Sequence, residues 1–124
     1  MKILVTGSRW WADENAIIRM LEAFPHDTQL IHGAARGADE IADNVARWGL
    51  GWPKPRAFPA EWTAYGKRAG AIRNAAMLKE QPDLVIAFHN DLNRSKCGTR
   101  DCIDKASKLG IPVLHWSSAA TERR

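Results

Sequence analysis

Arg9, Arg36, Arg73 and Arg100 are the residues best suited to hold an anion, because three of them stand beside glycines in short runs of small residues. The first run is Thr6-Gly7-Ser8-Arg9-Trp10. Gly7 lets backbone come close to a ligand, Ser8 offers a hydroxyl, and the planar guanidinium of Arg9 matches a phosphate. The second, His32-Gly33-Ala34-Ala35-Arg36-Gly37-Ala38-Asp39, leads straight into a helical pattern. Free N–H groups at a helix start favour an anion, and the helix dipole strengthens the effect. Gly98-Thr99, before Arg100, opens another helical pattern and is a second candidate phosphate cradle. Thr99 can equally be an N-cap.

Other side chains extend this set. Asp39 can favour the dipole of its helix or bond ribose hydroxyls. Arg73, followed by Asn74, lies beside an apolar helix face and needs an anion, from a carboxylate or a ligand. Trp10, Trp62 and Tyr65 can stack on a base or cover the sheet edge. His32 reads as a structural histidine at a strand end. Asp39 and Arg73 are the candidates for a catalytic role, and no spacing selects between them. No GxGxxG fingerprint is present. Cys97 and Cys102 form no CxxC pair and read as free thiols, so neither a metal nor a cofactor is expected.

The elements that must position these residues alternate. Ile3-Leu4-Val5, Gln29-Leu30-Ile31, Leu84–Phe88 and Val113–Trp116 are short runs rich in strand formers, three of them nearly continuously apolar. Arg56-Ala57-Phe58, in a proline-rich stretch, can be only a poor edge strand. Between them lie helical faces. Ile17, Met20, Leu21 and Phe24 follow the N-cap candidate Asp13 and stop at Pro25. Ile41, Ala42, Val45 and Trp48 precede Gly49. Ala69, Ile72, Ala76 and Met77 stop near Pro82, and Ile103, Ala106 and Leu109 stop at Gly110. This order predicts an α/β, Rossmann-like three-layer domain over residues 1–116. Its mainly parallel sheet has about five strands flanked by helices, and residues 117–124 form a polar tail. Ligands of such sheets bind beyond the carboxyl ends of the strands, where all four arginines are expected to converge.

Composition agrees. The 124 residues are 45% hydrophobic and 26% charged, which suits one soluble domain. No apolar run approaches a membrane span, and no signal segment is evident, so a cytoplasmic location is expected. The net charge of +4 and pI near 9.4 come from scattered rather than clustered cations. Nucleic acid is therefore not the expected partner.

These elements together resemble the YspA group of the SLOG superfamily, the DprA- and LOG-related Rossmann-like proteins. The resemblance rests on the three runs above, on Phe58-Pro59-Ala60-Glu61-Trp62, on Tyr65-Gly66-Lys67 and on Ala69-Gly70. It also rests on Arg73-Asn74-Ala75-Ala76-Met77 and Pro82–Phe88, and it extends from Lys2 to about Val113. It implies a domain that binds nucleotides or nucleotide-derived signals, of a kind found in bacteria and their phages. LOG relatives are phosphoribohydrolases that cleave the N-glycosidic bond of nucleoside monophosphates. Their pattern joins an arginine shortly before a methionine to a PGGxGTxxE loop. Arg73 and Met77 match the first part and Gly98-Thr99 match the GT. Cys102 stands at the glutamate position, and Asn93–Cys97 replace the proline and paired glycines. A thiol there is a poor substitute for a carboxylate facing an oxocarbenium-like transition state. Asp39, Asp101 and Glu61 are the possible replacements.

The expected function is binding of a nucleotide or nucleotide-derived phosphorylated ribose ligand, as a sensor or sequestering module. Phosphate would lie on Gly33–Gly37 and Gly98-Thr99, held by Arg36 and Arg100. The alternatives are a nucleotide N-glycosidase of the LOG type and, behind it, DprA-like nucleic-acid binding. A homodimer is expected by analogy with relatives.

Overall fold

The apolar run after Lys2 leaves the chain no solvent-facing side, so it forms the centre of a sheet. A computed structural model describes residues 1–92 and 98–117. Strands β1 (Lys2–Gly7), β2 (Gln29–His32), β3 (Arg56–Ala57), β4 (Leu84–Phe88) and β5 (Val113–Trp116) form one sheet in the order β3-β2-β1-β4-β5. Every neighbouring pair is parallel. The poor edge strand expected at Arg56 is observed as a two-residue edge.

Alternation along β1 feeds two cores. Ile3 and Val5 point to one, with Leu30, Ile86 and Phe88, beneath helices α1 (Glu14–Leu21) and α2 (Ala38–Asn44). Leu4 points to the other, with Ile31 and Val85. That core lies beneath α4 (Ala69–Leu78) and α5 (Gly98–Lys108). A single-turn helix, α3 (Trp62–Tyr65), precedes α4. This is the three-layer α/β, Rossmann-like arrangement. Because β1 is flanked by β2 on one side and β4 on the other, the connections diverge there and leave a crevice at its carboxyl end.

Helix starts and stops follow local chemistry. Asp13 caps α1, its Oδ1 accepting from Ala16 N at 3.1 Å. Gly110, at φ +75°, ends the α5 segment. Three helical faces differ from their expected positions. Trp48 is 76% exposed because α2 widens after Asn44 into a π-helical turn, Val45–Gly49, which rotates it off the core. The left-handed glycine that follows is Gly51 rather than Gly49. On α4 the buried face is Ala69, Asn74, Met77 and Leu78, while Ile72 is exposed. Leu109 likewise lies beyond α5 and faces solvent. The proposed tail falls, from residue 118 on, outside the described residues. No helix among them is long and apolar enough to cross a membrane.

Candidate functional site

A hollow of about 480 Å³ opens at the carboxyl ends of β1 and β4. Most of its lining comes from four parts of the chain. Gly7 ends β1 and Ser8, Arg9 and Trp10 follow it, Ala35 and Asp39 come from the loop after β2 and the first turn of α2, Arg73 and Asn74 lie on α4, and Gly98 and Thr99 start α5. A second hollow of about 340 Å³ adjoins it and shares Arg9, Trp10, Ala35 and Arg73. Gly33, Ala34, Arg36, Pro59, Ala60 and Trp62 complete its wall. Arg36 and Gly98 thus border adjoining hollows, and Arg73 lines both.

Asn74 holds the parts together. It is buried, and its Oδ1 accepts from Arg73 Nε at 2.9 Å. Its Nδ2 donates to Gly98 O at 3.1 Å and to Asp101 Oδ2 at 3.0 Å. Lys105 donates to both oxygens of Asp101, at 2.9 and 2.8 Å. Arg73 Nη1 donates to Gly33 O at 2.5 Å, so one guanidinium joins α4 to the loop after β2. Every donor and acceptor of the Asn74 amide is used in fixing where Arg73 and the start of α5 lie.

The loop after β2 is tied down mostly from within. Gly33 N donates to Asp39 Oδ2 at 3.0 Å, and Ala35 N to the same oxygen at 3.4 Å. Ala34, at φ +58°, donates its N–H to His32 Nδ1 at 3.0 Å. His32 Nε2 meets Asp43 Oδ2 at 2.6 Å, which makes it the donor there. This is the structural role expected of a strand-end histidine. Ala38 N, at the start of α2, donates to Ser8 O at 3.1 Å. Three of the amides expected to face a phosphate, those of Gly33, Ala34 and Ala35, are therefore occupied inside the protein, as is that of Ala38. The glycines here serve packing. A Cβ on Gly37 would strike the Ser8 carbonyl, and one on Gly33 would strike the Arg73 guanidinium.

Asp39 is 95% buried (relative exposure 5%) and lines the larger hollow. It caps neither end of α2. Oδ2 takes the two loop amides, whereas Oδ1 has no hydrogen-bond partner among the described residues. Burial pushes its pKa up to about 6, against the opposing pull of His32, the loop amides and Arg73.

The remaining candidates divide. Trp10 is 77% exposed and borders both hollows, and Trp62 borders the smaller. Tyr65 and Arg100 lie outside both linings. Arg100 pairs with Asp104 at 3.3 Å and donates to Leu92 O at 3.3 Å. Arg9 and Arg36 have no carboxylate partner among the described residues. Thr99 is buried inside α5 rather than capping it. Asn93–Cys97, at the position of the LOG glycines, fall outside the described residues. Cys102 is wholly buried against Leu4, Ile31 and Met77, and its thiol is pushed up to about 12, chiefly by burial. It cannot supply a thiolate at neutral pH. Of the possible replacements for the absent glutamate, Asp101 is tied to Lys105 and Glu61 is exposed before α3, leaving Asp39 in the hollow.

Thr6, Met77 and His89 also line the larger hollow; Thr6 and Met77 belong to the runs singled out in the sequence but carried no binding role there, and His89 had none. Thr6 and His89 sit at the carboxyl ends of β1 and β4, so strand position alone would have flagged them. Met77 lies one helical turn beyond Arg73 and Asn74.

Two comparisons place this geometry. The chain is 40% identical over 123 residues to the Gene 61 protein of Mycobacterium phage D29, covering 93% of this chain and 95% of that one. The family described as YspA, cpYpsA-related SLOG matches residues 1–65, which hold β1, β2 and the Gly33–Asp39 loop. The chain therefore belongs to the YspA, cpYpsA-related SLOG family.

Proposed function

We propose that the protein binds a nucleotide or a related phosphorylated ribose compound in the crevice beyond β1 and β4. One observation carries the reading. Arg9 and Arg73 line the hollow into which the start of α5 opens, and Arg9 has no counter-charge among the described residues. The first N–H groups of an α-helix have no partner within it. Such amides beside a fixed guanidinium suit a phosphate. Since the Gly33, Ala34 and Ala35 amides are already occupied, the phosphate is assigned to Gly98-Thr99, with Arg36 reaching in from the adjoining hollow. Trp10 and Trp62 offer faces for a base. Calorimetric titration with a panel of nucleoside mono- and diphosphates tests this. Saturable binding that Arg73→Ala abolishes supports the reading, and a flat panel overturns it.

A second reading is hydrolysis of the N-glycosidic bond of a nucleotide. The observation favouring it is the Asp39 carboxylate, which lies in the hollow where Cys102 offers nothing. Chromatography for free base after incubation separates the two. Base release lost in Asp39→Asn makes the protein an enzyme, and binding without release makes it a sensor or sequestering module.

A further inference from the structure

We propose that Asp39 selects the ligand by its sugar: its free oxygen accepts a hydrogen bond from a ribose hydroxyl, so the site takes ribonucleotides and disfavours 2′- or 3′-deoxy forms. The inference rests on the binding reading above and adds to it the class of ligand.

Asp39 lines the larger hollow, and its carboxylate is unevenly held. The two oxygens of Asp39 have unequal surroundings. Oδ2 is anchored by Gly33 N and Ala35 N, which fixes the carboxylate plane. Oδ1 is buried and has no partner among the described residues. A buried acceptor without a donor is costly, and a ligand that brings one removes the cost.

The ligand group there cannot be the phosphate, because two anions in a low-dielectric hollow repel strongly. The base is assigned instead to Trp62, which borders only the smaller hollow, with Trp10 at the border of both. What remains is a neutral donor between an anion and a base, and in a nucleotide that is a sugar hydroxyl. The hollow is thus divided, with cations for the phosphate and a carboxylate for the group attached to it. An inorganic polyphosphate or a deoxynucleotide satisfies only the first half. Desolvation, which holds the Asp39 pKa up near 6, acts on a carboxylate that lacks such a donor.

Nucleoside 5′-monophosphates of each base are titrated calorimetrically in ribo, 2′-deoxy and 3′-deoxy form, with inorganic phosphate as the probe of the cation half. The wild-type protein is expected to prefer the ribo form over at least one deoxy form by about 10- to 100-fold, the scale of a charge-assisted hydrogen bond. In Asp39→Asn the loop amides keep the amide oxygen at the Oδ2 position, so nitrogen replaces the free oxygen. The preference should then shrink to within about threefold, and inorganic phosphate should bind no more weakly. Deoxy forms within threefold of ribo in the wild-type protein, or a full ribo preference surviving in Asp39→Asn, overturn the sugar selection and leave the binding reading standing. Absence of binding by every nucleotide and by phosphate overturns both.

Discussion

Arg73 and Asn74 are neighbours on α4 that act as one unit, the amide oxygen of Asn74 accepting from Arg73 Nε at 2.9 Å. The same asparagine holds Gly98 O and Asp101, so the arginine and the start of α5 move together or not at all. Such preorganisation reduces the ordering that a ligand must impose.

Removing that link should affect stability and affinity together. Asn74→Leu keeps the side-chain volume but leaves Arg73 Nε, Gly98 O and Asp101 each short of a partner. A loss of about 2–3 kcal/mol in urea denaturation is expected, with the nucleotide affinity falling at least tenfold. A variant as stable as wild type would show that the three bonds do not define the site.

Asp39 makes stability depend on pH in an unusual sense for a carboxylate. Its folded-state pKa, pushed up to about 6, exceeds the ordinary value of 3.8 that the unfolded chain shows. The folded protein therefore holds that proton more tightly. The contribution is fully present below about pH 4 and is lost as pH rises through 6. Asp39→Asn removes the burden of the buried charge, so at pH 7.5 it should exceed wild type by about 1–3 kcal/mol. The gap should close as pH falls toward 4. Thermal melts of both proteins across this range measure it, and a gap that widens on acidification contradicts the assignment.

Two glycines should respond oppositely to alanine. Gly37 sits at φ +74° with the Ser8 carbonyl where a Cβ would go. Gly37→Ala should cost about 2–4 kcal/mol, from backbone strain and from a forced shift of the loop after β1. Gly98 has no atom of the described residues within 4 Å of its Cβ position, so Gly98→Ala should change stability by less than about 0.5 kcal/mol. Denaturant midpoints decide both.

Much of the fold was legible in the residues. Continuous apolar strands at Ile3–Val5 and Leu84–Phe88 required a parallel sheet covered on both faces, and Asp13, Pro25 and Gly110 marked helix ends. The site was legible in outline. Gly7-Ser8-Arg9, Arg73-Asn74 and Gly98-Thr99 do meet, because each lies just beyond a strand or on a helix facing that edge. What periodicity could not show was how the donors are used. Gly33, Ala34 and Ala35 read as free amides at a helix start, yet Asp39 and His32 satisfy them through side-chain orientations that only the folded loop defines. The same limit applies to Arg100, whose i,i+4 pairing with Asp104 draws it along α5 and away from the hollow. Trp48 left the core because a π-turn interrupts α2, and a widened turn has no signature in hydrophobic spacing.

Arg36 is exposed, lacks a carboxylate partner among the described residues, and borders the smaller hollow. Arg36→Ala should leave stability within about 0.5 kcal/mol of wild type. It should weaken nucleotide binding by about 1.5 kcal/mol, roughly tenfold, in calorimetry. An unchanged dissociation constant would remove Arg36 from the ligand's surroundings.

The most direct test of the crevice as the binding site is a backbone amide NMR titration of the isotopically labelled protein with nucleoside 5′-monophosphates. Saturable shift changes are expected at Ser8, Arg9, Ala35, Gly98 and Thr99, with the Arg73 Nε signal moving alongside them. Shifts confined to the opposite end of the sheet, around Gln81 and Leu109, or no shifts at millimolar nucleotide, would contradict it.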